Sequence, residues 1–126
     1  MMHRDNFVDG MVFQDDDDPA ETVIFNMRSW VEVIRGIIVH YANRTEAEAD
    51  SQMAAAPVIN TPVTNYMAVI SRSHELEYHW AMLIAYGEQY WSTQGISPEP
   101  PEDYLEWETN YRTKHKLAQE SFVFSE

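Results

Sequence analysis

Proline and glycine, the residues that most strongly interrupt regular backbone, are sparse and bunched in this chain. Its 126 residues include four Gly and six Pro, and five of the Pro fall within 57–62 and 98–101. Long uninterrupted stretches remain, and these favour helices. The clearest is marked by Val23, Met27, Trp30, Ile34, Ile37 and Tyr41, spaced by 4, 3, 4, 3 and 4 residues, with Ile24, Val31 and Ile38 widening the stripe. Asp18 as N-cap, Pro19 at the first helical position and Glu21 three residues after the cap predict its start, and it should run to about residue 43.

Thr45 followed by Glu48 is a capping-box pattern, and it predicts a short helix that Pro57 ends. Residues 63–94 hold no Pro and only Gly87, with apolar residues on most faces, so a central buried helix is expected there, capped by Gly95. A Pro-rich connector at 97–101 leads to a last helix over about 101–120. Its stripe is Tyr104, Trp107, Tyr111, His115 and Ala118, and Lys114 and Lys116 complement its negative end. The expected fold is an all-α compact bundle of three long helices plus one short helix, in one domain over 18–126. Residues 1–17 are expected as a mobile acidic arm, because Asp15 to Asp18 would repel one another if packed.

Charge limits the partners. Asp and Glu total 21 against 8 Lys and Arg, a net of −13, and the halves are similar: −7 over 1–63 and −6 over 64–126. Between Arg72 and Arg112 there are eight acids and no Lys or Arg. Such a surface repels nucleic-acid phosphate and anionic lipid and attracts basic proteins. No cysteine is present, which excludes disulfides, thiolate catalysis and Cys-based metal sites. The apolar runs are too short to span a bilayer, so a cytoplasmic protein without membrane contact is expected.

Catalytic and metal motifs are absent. In His74-Glu75-Leu76-Glu77-Tyr78-His79 the two His are five apart, about 140° around a helix, and cannot chelate one ion. Glu75 and His79 share a face but lack further ligands. Carboxylate groupings at Glu46, Glu48 and Asp50, and at Glu102, Asp103, Glu106 and Glu108, read as solvated faces. No metal or cofactor is expected.

Asn60, Pro62 and Tyr66, then Glu88-Gln89-Tyr90, then Tyr111-Arg112-Thr113-Lys114-His115-Lys116, resemble the pattern of pyrimidine-dimer DNA glycosylases of the phage endonuclease V type. Glu32 with Arg35 resembles that family's catalytic Glu and its Arg one turn on. The resemblance implies a DNA-repair activity in which Glu32 polarises the sugar, while Arg35 and the Arg112 to Lys116 patch hold phosphate. Thr61 stands where the family has His, and the chain begins Met1-Met2 where the family uses a processed N-terminal amine.

The composition itself points to an interaction module that binds a basic protein, with nucleic-acid-binding proteins as one partner class, in the manner of a phage-type inhibitor or nucleic-acid mimic. The expected contacts are Asp15, Asp16, Asp17, Asp18, Glu99, Glu102, Asp103, Glu106 and Glu108, with Trp107 as an anchor. Alternatives are the glycosylase-like enzyme, and a structural homodimer formed through the Trp30–Tyr41 stripe.

Overall fold

A computed structural model describes residues 6–125. Among these the element order is β1 (Met11–Gln14), β2 (Thr22–Phe25), α1 (Met27–His40), α2 (Glu46–Ala54), α3 (Pro57–Asn60), α4 (Tyr66–Ser73), α5 (Glu77–Tyr86), α6 (Tyr90–Thr93), α7 (Tyr104–Lys114) and β3 (Phe122–Ser125). The strands form one antiparallel sheet in the order β1-β2-β3, with Met11 opposite Phe25 and Phe25 opposite Phe122. The fold is therefore mixed α/β. The all-α bundle of three long helices is corrected.

The first correction lies at Thr22–Phe25, expected as helix and found as the central strand. Val23 and Phe25 are fully buried while Thr22 and Ile24 are partly covered, a period of two. The β-branched run Thr-Val-Ile suits a pleated surface, and Val23 fits the helical stripe only because one residue in four serves either period. The Asp run does not belong to a free arm. Residues 15–21 connect β1 to β2 in a hairpin, where Asp15 accepts from the Asp17 amide at 2.9 Å and Asp18 from the Ala20 amide at 3.2 Å. Asp is favoured in such turns because its carboxylate replaces a backbone acceptor. The expected boundary between residues 17 and 18 falls inside this connection, and residues 1–5 of the expected arm lie outside the described residues.

The second correction is length. Residues 63–94 form three helices instead of one: Ser71 and Ser73 donate back to the carbonyls of Ala68 and Ile70, at 3.1 and 2.8 Å, where α4 ends. Gly87 (φ 94°) and Gln89 (φ 56°) then turn the chain through left-handed backbone between α5 and α6. The last helix stops at Lys114 rather than near 120. Lys116 takes the left-handed position (φ 57°), and the Leu117 amide returns to the Arg112 carbonyl at 2.8 Å, a Schellman-type ending that directs the chain into β3.

The predicted capping box is present: Thr45 Oγ1 accepts from the Glu48 amide at 3.1 Å, and the Glu48 carboxylate accepts from the Thr45 amide at 2.9 Å. Helix α1 is the centre of the core, packed on α5, α2 and α7. Trp30, Val33, Ile34 and Ile37 have no solvent exposure, so the stripe expected at a homodimer interface is covered within the protomer. The segments before β1 and before β3 converge on the start of α1. Asp9 accepts from the Ser29 amide and hydroxyl at 2.8 and 2.7 Å, Ser29 Oγ accepts from the Ala118 amide at 2.8 Å, and the Asn26 amide donates to the Ser121 carbonyl at 2.8 Å.

Candidate functional site

Helix α7 carries most of the residues with functional interest, and at about 100° per residue it divides into three faces. The inner face bears Tyr104, Glu108 and Arg112. The Arg112 guanidinium donates to Glu77 of α5 at 3.0 Å, Glu108 at 3.1 Å, the Ala118 carbonyl at 2.8 Å and Ser121 Oγ at 3.0 Å. Tyr104 donates to the other oxygen of Glu108 at 2.5 Å. One buried cation thus faces two carboxylates. Burial, then repulsion from Glu108, pushes the Glu77 carboxyl up to about 7, and burial followed by the Glu108 bond raises the Tyr104 phenol as well.

The outer face is acidic. Glu102, Leu105, Glu106 and Thr109 are exposed, Leu105 by 74%, and the connector adds Glu99. Among the described residues Glu99, Glu102 and Glu106 have no ion-pair partner. Asp103 is exposed too, but accepts from Tyr41 at 3.0 Å; burial and then this bond raise the Tyr41 phenol to about 12. Of the residues expected to contact a partner, Glu108 is turned inward to Tyr104 and Arg112, and Trp107 is half-buried. The Asp15–Asp18 group sits apart, in the hairpin connection. Asp15, Asp16 and Asp17 there line a shallow recess of about 340 Å³ with Asn65, Tyr66 and Met67.

The third face, Trp107, Asn110, Tyr111 and Lys114, closes a groove of about 720 Å³ against Arg35, Gly36, Val39, His40 and Asn43. Its rings follow one another, His40 stacked on Trp107 at 5.3 Å, Trp107 stacked on Tyr111 at 4.8 Å, and His115 tilted by 39° against Tyr111 at 4.2 Å between centroids. Gly36 allows this: a Cβ there would lie 2.5 Å from the Tyr111 ring. Sequence reasoning missed Gly36, His40, Asn43 and Asn110 as site residues. A Gly inside an apolar helical stripe was the available signal, since such a residue costs helix stability unless something packs on it.

Several residues of the glycosylase-like reading have partners within the protein. Arg35 makes a two-pronged bond to Asp50 of α2 at 2.7 and 3.3 Å, with Glu46 at 3.9 Å, and the Asp50 bond raises its guanidinium further. Glu32 is half-buried on α1. Asn60 donates to the carbonyls of Met53, Ala54 and Ala56 and so closes the end of α2. His79 pairs with the Tyr90 hydroxyl at 3.0 Å, and no three His, Asp or Glu side chains among the described residues converge as metal ligands. No helix among the described residues is long and apolar enough to cross a membrane. Neither a protein-family model, nor a curated protein, nor a solved structure matches this chain.

Proposed function

We propose that this protein is a small acidic interaction module that binds a basic protein surface through the outer face of α7 and the connector before it. The observation that carries this reading is the exposure of Glu102 and Glu106 beside the exposed Leu105 on α7, with Glu99 exposed in the connector before it, none of the three acids compensated by a cation among the described residues. Opposite charge steers encounter and sets orientation, and an apolar side chain at the centre supplies area that is lost from water on docking. The inner face of α7 is pinned by Arg112, so the acids are displayed by a rigid helix and little ordering is needed on association. A net charge of −13 opposes direct contact with nucleic acid, and favours instead a protein whose basic surface serves phosphate.

The test uses the immobilised protein beside a variant carrying Glu102→Gln, Leu105→Ala and Glu106→Gln. At low salt the parent should enrich basic, nucleic-acid-binding proteins identified by mass spectrometry; the variant should capture about tenfold less, and high salt should release them. Equal capture by the two proteins, or no basic enrichment, overturns the reading.

A further inference from the structure

We propose that the groove between α1 and α7 is a binding site for a small planar aromatic anion, a ring system bearing one carboxylate or phosphate. This inference is independent of the acidic face, because the two lie on different sides of α7. The first argument is charge. In a chain of net −13 this groove gathers Arg35 and Lys114 against the single carboxylate of Glu46, with the imidazoles of His40 and His115 in its walls. The Arg35 charge is taken by Asp50, and Glu46 leans toward Arg35 at 3.9 Å. Lys114 has no ion-pair partner among the described residues, and its ammonium is the charge left for a ligand.

The second argument is the ring wall. His40, Trp107 and Tyr111 are already stacked, His115 lies against Tyr111 at a tilt of 39°, and the contact of Tyr111 with Gly36 holds the ladder against the α1 backbone. Pre-stacked rings lose little freedom on binding, and a planar ligand extends the stack at small cost. The ladder ends at exposed His115, and Lys114 lines the same groove, so a ring added to the ladder has an ammonium in reach of its anion. Asn43 and Asn110 add amide donors and acceptors to the same walls. A volume of about 720 Å³ accommodates a nucleoside monophosphate or a smaller aromatic acid. The acids on the adjoining face of α7 oppose a long polyanion, which restricts the ligand to a small one.

The full chain is titrated calorimetrically with adenosine monophosphate and with indole-3-acetate, alongside adenosine and inorganic phosphate. Binding of either aromatic anion, at least about tenfold tighter than adenosine or phosphate alone, is expected. Response to the nucleotide only identifies a phosphate ligand, and response to the indole acid only identifies a carboxylate. Lys114→Glu, at an exposed position that leaves packing untouched, should weaken that binding by about tenfold or more. Gly36→Ala, which must push the Tyr111 ring out of place, should abolish it while the circular dichroism spectrum stays that of a folded protein. No heat with either anion, equal affinity for adenosine, or unchanged affinity in the Lys114→Glu variant would overturn the assignment.

Discussion

Replacing Glu77 by glutamine tests the buried charge network that joins α5, α7 and the segment before β3. Arg112 is only 2% exposed and Glu77 11% by side chain, yet two carboxylates share this one guanidinium. The site holds one excess negative charge largely out of solvent, so burial and then repulsion from Glu108 make Glu77 retain its proton well above the usual carboxylate value. A carboxyl raised from 4.5 to about 7 binds a proton in the folded state that the unfolded chain has already released. Stability from this group is therefore full below pH 4.5 and declines as pH rises toward 7. The gap corresponds to ~3 kcal/mol. The amide of the Glu77→Gln variant keeps an oxygen acceptor for Arg112 and has nothing to titrate. Urea unfolding followed by tryptophan fluorescence between about pH 5 and 8 gives the comparison. Near pH 5 the two proteins should agree within about 1 kcal/mol, and by about pH 8 the variant should be the more stable by up to ~3 kcal/mol. A constant difference across this range would refute the reasoning. So would a variant whose deficit grows with pH, because Arg112 would then be holding Glu77 as a carboxylate.

Removing the cation should have the opposite consequence: Arg112→Met leaves Glu77 and Glu108 without the guanidinium they share, with only the Tyr104 hydroxyl still donating to Glu108, and is expected to cost about 3–5 kcal/mol in urea unfolding near pH 7.5. Phe25→Ala empties the space beneath the Trp30 and Phe122 rings, which lie 5.5 and 4.9 Å from it. It should lower stability by ~3–5 kcal/mol, and a loss under about 1 kcal/mol would show that the sheet does not close this core. Thr45→Ala breaks the capping box and should cost ~1 kcal/mol, measurable as a lower urea midpoint with an unchanged slope.

Local signals were legible where a bond closes within a few residues. The Thr45–Glu48 box and the stop before Pro57 were visible in sequence because each concerns one turn of backbone. The stripe from Met27 to Ile38 was also readable, and it forms the centre of the core. The strands were harder to see. Each of the three has four residues, too few for a period of two to stand out, and β3 pairs with β2 across almost the whole chain. The acid run at Asp15–Asp18 resembles a free arm on charge alone, while the hairpin that contains it depends on Met11–Gln14 finding Thr22–Phe25. Among the candidate contacts, Glu99, Glu102 and Glu106 reach solvent as expected, whereas Glu108 is taken inward by Arg112, a partner its own helix supplies one turn on.

What the sequence determined by itself is the charge balance, the absence of cysteine chemistry, and the helical character of the stripe from Met27 to Ile38 and of the segment after the Thr45–Glu48 box. These are sums and near-neighbour effects, so they do not depend on how the chain is arranged. The tertiary structure decided the rest. Whether Val23 belongs to a helix or a strand, and whether Glu77 is a surface acid or a buried one at about 7, depends on what is packed opposite. The same holds for the groove, since Gly36 and Tyr111 are 75 positions apart in sequence and make a wall only because α7 lies against α1. Long-range packing sets burial, and burial turns a residue's type into its chemistry.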